Sequence, residues 1–160
     1  MFADQIEDLY SAETQLVEAL PKIARAASDD KLREAIENHL EETRGHIDRL
    51  THIKNDLGIS AEQKCKGMAG LLAEGDETVN ESGGGPAKDA AIIAAAQRVE
   101  HYEIAAYGTA RTLASELGFG DAEGLLGETL DEESAADELL TKIATGGLFR
   151  SGVNEAAKTA

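Results

Sequence analysis

The chain has one cysteine, two prolines, no tryptophan and an aromatic content of only 4% across its 160 residues. Each scarcity excludes something. A lone Cys65 permits no internal disulfide framework and no cysteine-rich zinc site. It suits a reducing compartment, and a cytoplasmic location is the expectation. No run of ~20 apolar residues occurs, so no membrane-spanning helix is expected. The opening MFADQIEDLY is acidic and lacks the apolar centre of a signal peptide. Basic residues are scarce too: 15 Lys and Arg against 31 Asp and Glu leave a net charge of −16. Such a surface repels phosphates and anionic lipids, so neither nucleic acid nor membrane is an expected partner. With only Pro21 and Pro86 and few β-branched clusters, little sheet is expected.

What is abundant is Ala and Leu, within an apolar share of 42%. That palette packs helices closely, and the length supports one domain with a sizeable core. The apolar positions recur at helical steps. Ile6, Leu9, Leu16 and Leu20 mark a first helix over about 3–27, with Glu13 inside the stripe and Pro21 as an expected kink. The segment SDD at 28–30 supplies caps for a second helix over about 30–57. Its stripe reads Leu32, Ile36, His39, Glu42, His46, Leu50 and Ile53, and Gly58 ends it. Residues 60–82 open on the capping-box pattern Ser60-x-x-Gln63. Gly67, Gly70 and Gly75 then weaken the segment into one broken helix or two short ones. Gly83–Gly85 form a joint, and Pro86 suits the first turn of a helix over about 86–117. A last long helix spans about 121–145 and stops at Gly146–Gly147. The tail from 148 to 160 is short and polar, and is expected to fray or pack on the outside.

Short loops make the first two long helices antiparallel, and likewise the last two. The join at 58–86 is long enough to cross a bundle end to end. The expected fold is therefore all-α: a ferritin-like four-helix bundle over 1–147, whose one long crossover carries one or two extra short helices.

Every long helix aims carboxylates into its apolar side: Glu13, Glu42, Glu100 with Glu103, and Glu133 with Asp137. Glu100 and Glu103 sit one turn apart in QRVEHYEIAAYGT (97–109), and residues three apart share a helix face. Buried charges are paired, hydrogen-bonded or metal-bound, because bare desolvation is costly. Few inward cations match these carboxylates, although Arg98 and Arg111 are within reach of some. Carboxylates converging from four helices suit a pair of oxygen-loving ions, iron or manganese rather than zinc. The usual Glu-x-x-His signature is absent, since Gly45 and Ala136 stand three residues after Glu42 and Glu133. His46 and Asp137 come one position later, four after Glu42 and Glu133 and about 40° round the helix from them. For His39 and His46, ligation and a hydrogen-bonding core role both stay open. His101, His52, Tyr102, Tyr107 and Cys65 read as structural or exposed groups.

Five segments in chain order resemble one known family: IEDLYSAETQLVEALPKIARAA (6–27), HLEETRGHI (39–47), KCKGMAGLLAEG (64–75), DAAIIAAAQRVEHYEIAAYGTARTLASELG (89–118) and LLGETLDEESAADELLTKIA (125–144). The chain is similar to the YciE/YciF family of bacterial stress-associated proteins, within the ferritin-like superfamily. The resemblance implies a four-helix bundle, often paired as a homodimer, and a dimetal centre of two ions per chain, iron first and manganese second. Matching ligand candidates are Glu13, Glu42, Glu100, Glu103, Glu133 and Asp137, with His39 inside a matching segment. Three functions follow as expectations: a di-iron or di-manganese oxidoreductase consuming peroxide or oxidising ferrous iron, a non-catalytic stress or interaction protein on the same scaffold, and an iron-storage cage. No Cys-x-x-Cys pair is present, so an electron donor would be a separate protein.

Overall fold

A computed structural model describes residues 1–60, 63–147 and 150–158, with 147 and 150 as backbone only. The fold is all-α: α1 (Phe2–Ala26), α2 (Asp30–Leu57), α3 (Lys66–Asn80), α4 (Pro86–Leu117), α5 (Gly120–Thr145) and α6 (Val153–Ala157). A two-residue antiparallel pair, β1 (Gly146–Gly147) with β2 (Arg150–Ser151), follows α5. Helices α1 and α2 form one hairpin and α4 and α5 the other, and α3 lies in the crossover against α1 and α4. None of the described helices is long and apolar enough to cross a membrane.

The ends are set by the residues that the spacing singles out. Asp29 caps α2 by accepting from the backbone N–H groups of Lys31 and Leu32. Gly58 and Gly118 close α2 and α4 in the left-handed region, at φ 65° and 75°, where a Cβ would strain the chain. Asp89, buried in the first turn of α4, accepts from the N–H groups of Ser28 and Asp29 at 2.7 and 2.9 Å, which ties the two hairpins together. Pro21 sits within α1, whose helix continues past it to Ala26.

The crossover differs from expectation in detail. Among the described residues it holds one unbroken helix, and α3 starts at Lys66, with the Cys65 Sγ accepting from the Met68 N–H. Residues 61 and 62 of the capping-box pattern lie outside the described residues. Gly67 is used for close approach rather than as a breaker: a Cβ there would lie 2.7 Å from the Tyr102 ring. The tail also contributes more than expected. Val153 is 6% exposed and joins the core, and Gly152 lets the backbone press against Ala144 and Gly146.

The core is divided. One apolar cluster includes Leu16, Leu20, Ile36, Ile92 and Leu140, and the other includes Ile6, Leu9, Leu50, Tyr107 and Leu126. Between them, at mid-bundle, each long helix presents polar side chains in place of apolar ones: Glu13 on α1, His39, Thr43 and His46 on α2, Glu100 and Glu103 on α4, and Thr129 and Glu133 on α5. The fold therefore builds a polar layer sealed by hydrocarbon at both ends.

Candidate metal centre

Six of the eight expected ligands meet in this layer, in two groups that share a residue. His39, Glu100, Glu103 and Glu133 bring one donor atom each within 4.8 Å of one another, and so do Glu13, His46 and Glu133. Glu133 belongs to both. None of the six is more than 6% exposed.

The other two stand apart, for geometric reasons. The buried stripe of α2 runs Leu32, Ile36, His39, Thr43, His46, Leu50, Ile53, in strictly alternating steps of four and three. Thr43 therefore takes the inward position and spends its hydroxyl on the His39 carbonyl at 2.7 Å. Glu42 points outward, its side chain 48% exposed, and reaches back only to His39 Nδ1 at 3.5 Å. On α5, Asp137 turns towards α4, where it accepts from Gln97 at 2.9 Å and lies 3.3 Å from His101 Nε2.

Sequence reasoning missed the groups that hold His46. Its Nε2 lies 2.9 Å from Glu132 Oε2, and Arg49 grips the same carboxylate with two parallel hydrogen bonds of 2.6 and 2.8 Å. Arg49 also donates to the Thr129 hydroxyl at 3.1 Å. Hydrogen bonding through Nε2 leaves His46 Nδ1 facing Glu13 and Glu133, at 3.3 and 3.0 Å. A histidine whose outer nitrogen is held by a carboxylate is the usual support of a metal-ligating ring. The available signal was spacing: Arg49 follows His46 by three residues, as Glu132 follows Thr129. Arg98 and Arg111 are exposed and leave the layer alone. Tyr107, fully buried, donates its hydroxyl to Glu13 Oε1.

Electrostatics in the layer are severe. Burial, reinforced by neighbouring carboxylates, holds Glu103 well above the usual carboxylate range, and burial does the same to Glu100 against the opposing pull of His39. Burial also raises Glu13, although His46 offsets part of the shift. For Glu133 the burial effect is outweighed by His46 and His39, and its pKa is lowered. Burial would lower both histidines, but carboxylates win: Glu100, Glu42 and Glu133 push His39 up to about 9, and Glu13 and Glu133 push His46 up to about 10.

Do these residues fit a metal pair? Among the described residues, every buried side-chain oxygen or nitrogen without a hydrogen-bond partner belongs to Glu13, His39, His46, Glu100, Glu103 or Glu133. Native interiors satisfy nearly all such atoms, so orphans confined to one layer call for a ligand that accepts lone pairs. Oxygen-rich donors with two imidazoles match iron or manganese.

Replacing Arg49 by methionine is expected to free Glu132 and let the His46 ring turn. Metal titration should then show affinity at the Glu13–His46–Glu133 group falling about 10–100-fold, the range for outer-shell partners. The group around His39 should be spared.

Comparison with known proteins agrees with this architecture. Over 159 residues the chain is 46% identical to Protein YciF of Escherichia coli strain K12, covering 98% of this chain and 95% of the relative. It superposes on the crystal structure of the E. coli stress protein YciF with a TM-score of 0.84 at 49% identity, covering 88% of this chain and 90% of that one. It superposes on YcfI of Rhodopseudomonas palustris, described as a proposed structural protein, with a TM-score of 0.83 at 42% identity and the same coverage. Residues 1–158 match the family described as Domain of unknown function (DUF892), and the chain belongs to that family.

Proposed function

We propose that this protein is a dimetal carboxylate protein of the stress response, acting on peroxide or on ferrous iron. The observation that carries the reading is the confinement of all orphaned buried polar atoms, among the described residues, to six side chains of metal-ligand type. Charge supports it. Glu13, Glu100, Glu103 and Glu133 offer four negative charges when ionised, which balance two divalent cations beside neutral histidines. Iron is the first choice and manganese the second, because carboxylate-rich sites favour these hard ions.

Each residue has a role in this reading. Glu133 would join the two halves. His46 Nδ1 would face one ion, oriented by Glu132 and Arg49. The Tyr107 hydroxyl occupies Glu13 Oε1 and leaves Oε2 for a ligand. His39, Glu100 and Glu103 would hold the second half. The chemistry that a bound pair supplies is two-electron exchange with peroxide or dioxygen. The apolar clusters on either side flank the layer with hydrocarbon. A second copy of the chain and a separate electron donor are the partners that this reading asks for, in the cytoplasm, where the free Cys65 thiol stays reduced.

A second reading is a structural stress protein without turnover. It draws on the description of the R. palustris relative and on the layer's ability to neutralise itself by protonation. One experiment separates the two. Metal analysis of the purified protein, then reconstitution with ferrous or manganous ion, is expected to give about two ions per chain, a raised melting temperature and turnover of hydrogen peroxide or ferrous iron. Uptake without turnover would favour the structural reading. No uptake and an unchanged melting curve would sink the metal centre.

A further inference from the structure

Next to the polar layer, the bundle leaves space. A cavity of about 200 Å³ opens between α2 and α5, beside the exposed Asn38 and Leu139, and ends at His39 and Glu100. It exists because the facing positions carry small residues, Ala35 on α2 and Ala136 on α5, which do not fill the gap. Its walls are hydrocarbon from all five long or crossover helices, including Leu16, Leu72, Ile92 and Leu140. Native interiors seldom hold voids much larger than a water molecule. A roomy apolar chamber with a few convergent polar groups is the form of a small-molecule site.

The polar groups are divided by depth. At the inner end, His39 and Glu100 are 6% and 3% exposed, and both ring nitrogens of His39 and Glu100 Oε2 lack hydrogen-bond partners. At the rim stand Asn38 and two carboxylates, Glu42 and Glu132. Glu42 adds negative charge at the rim, and the His39 ring is already faced by Glu42, Glu100 and Glu133 at 3.5, 3.5 and 3.8 Å, so an anionic head group finds no unmatched cation. Hydrocarbon walls penalise a cationic one.

We propose that this chamber binds a neutral alkyl molecule, its single O–H head (an alcohol or hydroperoxide) turned to His39 and Glu100 and its chain lying among the leucines. An apolar cavity of about 150 Å³ takes benzene, so this one has room for a chain of roughly six to eight carbons. Its functional meaning rests on the metal-centre reading, since it names the class of substrate that would reach the layer. Binding itself needs no metal.

The test uses metal-free protein and isothermal titration with n-octanol and with n-octanoate. Octanol is expected to bind, and octanoate about tenfold or more weakly. Ala136→Phe and Ala35→Phe fill the chamber from opposite walls. Either variant that retains the wild-type melting curve should lose octanol binding about tenfold or more, with metal uptake unchanged. Equal binding of the anion, no octanol binding by the wild type, or full binding by a folded filled variant would each overturn the proposal. Octanol binding in a protein that takes up no metal would leave the chamber standing and remove the metal centre. Metal uptake without octanol binding would do the reverse.

Discussion

A Glu133→Ala protein is expected to hold neither ion, whereas Glu13→Ala should lose one and keep the other. The asymmetry comes from sharing. Glu133 contributes to both ligand groups, and Glu13 to only one. Glu133 also opposes His46 Nδ1 at 3.0 Å and His39 Nε2 at 3.8 Å, so its removal strips charge partners from both rings. Loss of affinity at each half should exceed about a hundredfold, beyond the 10–100-fold typical of outer-shell partners. Glu133→Gln keeps the packing and separates charge from volume. Glu42→Ala and Asp137→Ala are the informative controls, because one side chain points outward and the other is engaged by Gln97. Both should load two ions. Metal content of the purified variants decides the matter. Two ions in Glu133→Ala, or none in Asp137→Ala, would mean that the shared carboxylate is misidentified.

Those controls mark where sequence periodicity lost resolution. Helix ends were readable because Asp29, Gly58 and Pro86 act locally. The hairpin pairing followed from loop length. Inward carboxylates were readable on α1 and α4, where apolar neighbours surround them. On α2 a stripe drawn through Glu42 broke the four-three alternation that Thr43 preserves, and one position moves a side chain by about 100°. On α5 the choice between Ala136 and Asp137 depended on a partner, Gln97, contributed by another helix. The grip of Arg49 on Glu132 was hidden because both residues are partly exposed and lie on different helices. The chamber beside Ala35 and Ala136 had no sequence signal, since it appears only once five helices are assembled around them.

Metal uptake at neutral pH is expected to expel protons, and affinity should climb steeply with pH. In the metal-free layer His39 and His46 are raised to about 9 and about 10 and so hold protons at pH 7, while burial holds Glu100 and Glu103 well above the usual carboxylate range. Ligation requires neutral imidazole and ionised carboxylate, so the two imidazolium protons must leave, and the raised carboxylates favour further release. Each proton released adds a factor of about ten per pH unit, so the product of the two binding constants should rise by about 10²-fold or more per unit near pH 7. The same shifts govern stability without metal. A histidine with a raised folded-state pKa stabilises the fold fully below its unfolded value of 6.5, and that contribution is lost as pH rises through about 9 to 10. Glu100 and Glu103, also raised, act in the same direction. Glu133, lowered, acts oppositely and loses its contribution as pH falls through the carboxylate range. The metal-free protein should therefore melt at progressively lower temperature from pH 6.5 towards 10, while the loaded protein, with these protons already gone, should show a flatter profile. Titration of metal into protein in buffers of different ionisation enthalpy measures the released protons directly. Zero release at pH 7, or a metal-free melting temperature that rises with pH, would show that the layer carries its charge in some other way.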